Sequence, residues 1–361
     1  MADFLELDFL PIGKKNSGDA ITIRYSIDGI ENIHIVDGGY TDDGKSVCSH
    51  VDKYYGKNKT INHLVVTHPD RDHAGGIKFI IDNCDVGVLW MNRPWIYASE
   101  IIDRFSRFSN VNNLEQRLRD IYPYVHAAEK AAQDKGIEIR EAFQGSKIGD
   151  FTVLAPSKQR LLDLIVESDK SPQIAKIQES EEGAFLEEGI LGKLRKLAKA
   201  LWGQEDFSGE KTAAENEMSV VQYANICGSR VLLTGDAGRE ALEEAVNYAP
   251  IAGIAFPGID KFQIPHHGSR RNVSTELLNA ILGERLQSKP EHPGNAFTAL
   301  VSAAKEDPDH PRNAVIRAIW HRGGQAVSTE GISVRSPAGD APPREGWTPV
   351  TPIPYPDEQE E

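Results

Sequence analysis

Apolar positions fall first into short runs of strand length. Phe4 to Leu10, Ala20 to Ile27 and Ile33 to Val36 alternate or run apolar, and the loop PIGKKNSGDA separates the first two. Leu64-Val65-Val66 and Val86 to Trp90 continue the series, with helices predicted over Lys45 to Tyr55 and Gly76 to Asn83. From Ile96 to Lys135 the period becomes helical, because Leu114, Leu118, Ile121 and Val125 recur at spacings of three and four. Strand patterns return at Ile137 to Phe143 and Phe151 to Leu154, and Pro156 ends them. A second helical block runs from Gln159 to Leu201, with charge runs that read as a solvated face. Beyond it, Met218 to Ile226 and Arg230 to Leu233 read as a hairpin. Phe262 to Ile264, Phe297 to Ser302, Ala326 to Ser328 and Ile332 to Val334 are further strands. Helices are predicted from TGDAG through Val246, from Ser274 to Leu282, and after DHPRNAV. From Ser336 the chain is proline-rich and ends acidic, which predicts an extended or disordered tail. No repeat of solenoid period is present.

A chain of 361 residues can bury one large core or two modest ones, and 40% hydrophobic residues are ordinary for a globular protein. No apolar run reaches membrane-spanning length and the first residues are acidic, so the expectation is a cytoplasmic protein with no membrane partner. Cys48, Cys84 and Cys227 are widely spaced, without a C-x-x-C pair, and are expected to be separate reduced thiols. The formal charge of −14 disfavours a broad electropositive surface for duplex DNA but leaves room for a local basic groove.

Chemistry concentrates where strands end. His68, Asp70, Asp72 and His73 crowd into HPDRDH, directly after Leu64-Val65-Val66 and before Ala74-Gly75-Gly76. Imidazole and carboxylate on a strand tip suit Zn²⁺, Mn²⁺ or Fe²⁺ rather than a soft thiolate-bound metal. Asp236 in LLTGDAG and His266-His267 in IPHHGS follow two later strands. Each alone reads equally well as a cap or a turn. Three such clusters in order point to one shared metal centre.

The order of SGDAITI, IVDGG, THPDRDHAGG, IGDFTVLAP, NEMSVV, LLTGDAG, IPHHGS, DHP and STEGISV resembles the metallo-β-lactamase superfamily. Within it, the order is similar to the hydrolase domain of the ComEC-type competence DNA-uptake proteins. The resemblance implies an α/β fold, a four-layer αββα sandwich over residues 1–335. Helical insertions at about 96–136 and 158–213 and the tail 336–361 lie outside it. It also implies two divalent ions. His68 and Asp70 would hold the first, Asp72 and His73 the second, and Asp236 would bridge them; His266 is favoured over His267 to complete the second site. Asp70 stands where the wider superfamily has histidine, and NEMS replaces a further histidine, which leans the first site from Zn²⁺ towards Mn²⁺. Asp72 would orient or accept the proton of the attacking water, and His310 would protonate the leaving group. Asp37 and Asp19 would support the ligands. Asn216 and Ser219 would approach the first ion or a phosphate, with a strand-start role of even weight; Ser269, Arg270 and Arg271 would hold phosphate oxygens, although arginines on a loop are usually just solvated.

The function this implies is a metal-dependent phosphodiesterase, a nuclease on DNA or RNA. The residues alone argue only for metal-activated hydrolysis, since one fold serves many esters. Hydrolysis of a small phosphodiester of cyclic-nucleotide or phosphocholine type is the alternative that the acidic charge suits better. A partner-binding module with a structural metal is the alternative of another class. Without a channel, DNA transport is not implied, and a nuclease of this kind would need restraint, for which an activating or inhibiting protein partner is one means.

Overall fold

The computed structural model describes residues 3–170 and 201–359. Part of the second helical block predicted to Leu201 therefore lies outside the described residues. Two seven-stranded mixed sheets form the centre. The first holds β1 (Phe4–Phe9), β2 (Ile21–Ile27), β3 (Ile30–Val36), β4 (Thr60–Val65), β5 (Asp85–Trp90) and β6 (Glu138–Arg140), with β14 (Val334–Gly339) on the outer side of β1. The second runs β13 (Gln325–Ser328), β12 (Thr298–Val301), β11 (Lys261–Gln263), β10 (Ser229–Leu233), β9 (Val221–Ile226), β8 (Phe151–Ala155) and β7 (Lys147–Ile148). In both sheets antiparallel hairpins lead into a parallel run, β3 to β6 in one and β10 to β13 in the other.

Period-two alternation separates the layers. Leu5, Leu7 and Phe9 point between the sheets with Ile21, Ile23, Val153, Val231 and Leu233. Ile35, Leu64 and Val66 face outwards onto α1 (Gly44–His50) and α3 (Ile77–Asn83) through Val47, Ile77 and Ile80. Beyond the other sheet, Phe262 and Ala299 pack on α9 (Arg239–Tyr248), α10 (Thr275–Leu282) and α11 (Asn313–His321) through Leu242, Leu278 and Ile319. Three apolar interfaces between four layers make this an αββα sandwich.

The first insertion contributes α4 (Ala98–Ile101), α5 (Val111–Ile121) and α6 (Pro123–Asp134) to the outer core, where Leu114, Leu118 and Val125 are buried as their spacing predicts. The second contributes α7 (Lys158–Glu167) and leads into α8 (Ala214–Glu217). The last predicted strand is displaced: β14 crosses the boundary drawn at residue 335 and includes Pro337. A sheet edge accepts proline, because one side of the strand needs no donor. Residues 340–359 are extended chain packed on the body. Arg344 binds Asp8, Trp320 Nε1 donates to Ile353 O at 3.1 Å, and Arg317 Nη1 donates to Pro356 O at 2.9 Å. The expectation of three separate thiols is corrected. Packing of α1 on α3 pairs Cys48 with Cys84, Cα atoms 6.5 Å apart, while Cys227 is free and exposed. No helix among the described residues is long and apolar enough to cross a membrane.

Candidate metal centre

The parallel strands deliver their C-terminal ends to one edge, and every element of the centre leaves from such an end. Asp37 follows β3, and Thr67 and His68 follow β4, after which α2 (Arg71–Ala74) carries Asp72 and His73. From the other sheet come Asp236 after β10, His266-His267 after β11 and Ser302 after β12. Backbone bonds tie these loops together. Asp37 N donates to Val65 O at 2.9 Å, Gly38 N to His73 O at 2.9 Å, Asp19 N to Asp72 O at 3.1 Å and His266 N to Gly235 O at 3.2 Å.

Asp72, His73, Asp236 and His267 each offer a ligand atom within 4.8 Å of the others. Asp236 is the pivot. Its Oδ1 lies 3.2 Å from His73 Nε2 and 4.0 Å from His267 Nε2, while its Oδ2 lies 3.7 Å from both His68 Nε2 and His266 Nε2. Asp70 joins the second group, with Oδ2 3.9 Å from His68 Nε2. The sequence favoured His266 beside Asp72 and His73. The structure places His267 there, its Nε2 3.4 Å from Asp72 Oδ2, and His266 on the other side of Asp236.

The far nitrogen of each imidazole is already engaged. His73 Nδ1 donates to Asp37 Oδ2 at 2.7 Å, and His267 Nδ1 donates to Ser302 O at 3.0 Å. Thr67 Oγ1 donates to Asp37 Oδ2 at 2.6 Å, so it accepts from His68 Nδ1 at 3.0 Å. With the protons on Nδ1, the Nε2 lone pairs point into the centre, which is how outer groups prepare histidines for metal. His68 Nε2, His73 Nε2 and Asp236 Oδ1 are buried without a hydrogen-bond partner. Buried polar atoms left in this state call for an unseen partner. Inward lone pairs and carboxylates therefore fit divalent cations.

The electrostatics agree. Burial alone would lower His73, but Asp236, Asp37 and Asp72 outweigh it and hold the ring well above its usual value. Burial is likewise overcome at His267, which Asp236, Asp72 and Asp19 push up to about 9. Asp236 and Asp72 are lowered against burial by the imidazoles, Asp72 to about 2. His68 goes the other way, lowered by burial and by the His73 charge. An acidic field strong enough to keep imidazoles protonated is one that a divalent ion satisfies instead. Asp19, its Oδ2 3.9 Å from His73 Nδ1, is raised by burial and accepts from Gln263 Nε2 at 2.9 Å.

The centre is open along one rim, where Asp70, Asp72, His266 and His310 keep about a quarter of their side-chain surface exposed. His310 stacks on His266 with centroids 5.8 Å apart and lies 3.4 Å from Asp307; burial and His267 lower its pKa. Other candidates take supporting places. Ser219 Oγ accepts from Asp236 N at 3.2 Å, and Ser269 Oγ accepts from Arg271 N at 3.3 Å. Asn216 Nδ2 is 3.0 Å from His266 Nδ1. Arg270 faces Asp206 at 3.7 Å and Arg271 faces Glu210 at 2.5 Å.

Several contributors were not anticipated. Asn272 Oδ1 lies 3.1 Å from His266 Nδ1, and its Nδ2 donates to Asp236 O and Ala237 O. Thr67, Gln263 and the Ser302 carbonyl also hold ligands, and Lys170 Nζ lies 2.6 Å from Asp70 Oδ1. Only their position just beside the ligand motifs signals Thr67, Gln263 and Asn272.

No family model matches the chain. It is 26% identical over 153 residues to ComE operon protein 3 of Bacillus subtilis (strain 168), a match covering 42% of this chain and 17% of that protein. The chain thus spans under a fifth of that relative's length. A metallo-β-lactamase fold protein, YhfI from Bacillus subtilis, aligns with 93% of this chain and all of its own, at TM-score 0.38 and 10% identity.

Proposed function

We propose that this protein is a metal-dependent phosphodiesterase that cleaves nucleic acid. One observation carries the reading: Asp236 turns its two oxygens to two groups of inward-facing donors whose buried atoms have no other partner. Divalent ions bound there would acidify an attacking water and neutralise the charge of a phosphodiester.

The chain's own residues would do the rest. Asp72 Oδ2, between His73 and His267 yet partly open to solvent, is placed to orient the water and accept its proton. Asp37, Thr67, Ser302 and Asn272 keep the imidazoles in fixed orientations. His310 on the open rim is placed to serve the leaving oxygen. The rim supports access by a large substrate, and the motif order shared with ComEC-type domains supports a nucleic acid over a lactam or thioester.

The test pairs metal analysis with turnover of single- and double-stranded DNA and RNA, cyclic nucleotides and bis-p-nitrophenyl phosphate, with Mn²⁺ or Zn²⁺. The wild type is expected to cleave polymers, and Asp72→Ala to lose at least 100-fold, the lower range for a positioned proton acceptor. Activity that survives this change refutes the role of Asp72. Cleavage of small esters alone favours the small-substrate alternative.

A further inference from the structure

We propose that Lys170, supplied by the second insertion, holds a phosphate oxygen of the substrate at the open rim of the centre. The inference rests on the phosphodiesterase reading above and names the cation that an anionic diester would meet there.

The need is electrostatic. Asp37, Asp70, Asp72 and Asp236 carry enough negative charge to match a pair of divalent ions, so a loaded centre has no surplus with which to attract an anion. The arginines after the histidine pair are turned to carboxylates of their own, Arg270 to Asp206 at 3.7 Å and Arg271 to Glu210. Arg71 lies over the Tyr40 ring, and Arg312 pairs with Asp309 at 2.8 Å. Lys170 differs. Its side chain is nearly half exposed, and its ammonium lies 2.6 Å from Asp70 Oδ1, whereas the oxygen of Asp70 nearer His68 Nε2, at 3.9 Å, is Oδ2. The ammonium therefore stands beside the ligand set without joining it. It has three protons, and after Asp70 has taken one the others are free to meet a substrate oxygen.

The position is built from buried groups. An exposed ion pair by itself contributes little and does not fix a long side chain. Here the backbone beneath Lys170 is pinned: Lys170 N donates to Ser168 Oγ at 3.1 Å, and Ser168, the C-cap of α7, donates to Glu215 Oε1 on α8. Tyr122, between α5 and α6, donates its hydroxyl to the same oxygen at 3.2 Å. Ser168, Glu215 and Tyr122 are all buried. A carboxylate withdrawn from water is costly unless it is hydrogen-bonded, so Glu215 gathers both insertions onto α8. The next residue of that helix, Asn216, reaches His266 Nδ1 at 3.0 Å. Both insertions thus converge on the rim, and the second brings a cation to it.

The experiment separates a phosphate contact from a mere support of Asp70. A fluorescent single-stranded DNA oligonucleotide is bound to Asp72→Ala protein with Mn²⁺, so that the strand stays uncut, and anisotropy is followed between about 50 and 200 mM salt. Adding Lys170→Gln should flatten the slope of log affinity against log salt by about 0.7, the share of one single-strand phosphate. Lys170→Arg should keep the slope. Calorimetric titration of the apo proteins with Mn²⁺ gives the second readout. Removing an ammonium beside a ligand carboxylate should leave Mn²⁺ affinity unchanged or raise it, whereas loss of a support would lower it about 10- to 100-fold. Circular dichroism checks that each variant is folded. An unchanged salt slope overturns the proposal, and weakened Mn²⁺ with that slope makes Lys170 a support of Asp70. A wild type that binds no oligonucleotide yet turns over bis-p-nitrophenyl phosphate sinks the nucleic-acid reading alone. Lys170→Gln should then raise KM for that diester with kcat kept, and an unchanged KM overturns the role of Lys170.

Discussion

Asp37→Asn changes one atom and tests how the centre is prepared. Asp37 is buried and uses both oxygens: Oδ1 accepts from Thr67 N at 2.8 Å, while Oδ2 accepts from Thr67 Oγ1 at 2.6 Å and His73 Nδ1 at 2.7 Å. An amide has one accepting oxygen. If it stays on Thr67 N, the new NH₂ confronts the proton on His73 Nδ1, and the ring relieves the clash by moving that proton to Nε2. The lone pair aimed at Asp236 is then gone. The opposite orientation sets the NH₂ against the Thr67 amide, which cannot yield its proton. Loss of such outer support weakens metal about 10- to 100-fold, or about 1.4–2.8 kcal/mol at 1.4 per decade. Calorimetric titration of apo wild type and Asp37→Asn with Zn²⁺ and Mn²⁺ measures this directly, and thermal melts of the apo proteins separate it from misfolding. Equal affinities in a folded variant would refute the account of His73.

Two predictions concern the frame. Glu205 accepts from His321 Nδ1 at 2.9 Å, Arg322 Nη1 at 2.6 Å and Thr275 Oγ1 at 2.6 Å. Against burial, these donors lower its pKa from 4.5 to about 2. A carboxylate depressed on folding stabilises fully above its unfolded pKa and loses that contribution as pH falls through the folded one, here about 3 kcal/mol between pH 4.5 and 2. Urea unfolding should show wild type and Glu205→Gln converging across that window, and a difference independent of pH would contradict it. Gly76 packs so closely that a Cβ would lie 2.1 Å from Gly38 O and 2.8 Å from Gly44 N. Gly76→Ala should cost at least about 1–3 kcal/mol, the range for overpacking, in urea melts against Gly209→Ala, whose Cβ meets nothing within 4 Å.

What the sequence disclosed was local. HPDRDH, LLTGDAG and IPHHGS each follow an apolar run, so a strand tip bearing ligands could be read from composition and order, as could the helical face of Leu114 and Leu118. What it concealed depends on partners distant along the chain. The orientation of His267 is set by a carbonyl 35 residues away and that of His73 by a carboxylate 36 residues before it. Ser219, read as approaching an ion, instead receives the Asp236 amide, because α8 brings its hydroxyl under the β10 loop. Lys170 reaches Asp70 across 100 residues, and no local pattern announces that. Proline misleads for the same reason. It reads as the end of order, but an edge position beside β1 makes Pro337 harmless.

The loops of the centre explain one another. Asp37 at φ 62°, His266 at 46° and His267 at 54° all occupy backbone states that ordinary residues avoid, and each sits just past a parallel strand. Strain of this kind costs about 1–3 kcal/mol per residue and marks a functional site when surrounding structure over-determines it. Here each sheet holds its own strained residues: on the first, Asp37 is fixed by Thr67 and His73, and on the second, Asp236 and Ala237 fix Asn272, which contacts His266. Two sheets that merely packed would gain nothing from such turns at their shared edge. A divalent cation between them would account for their gathering around one carboxylate with unpartnered neighbours.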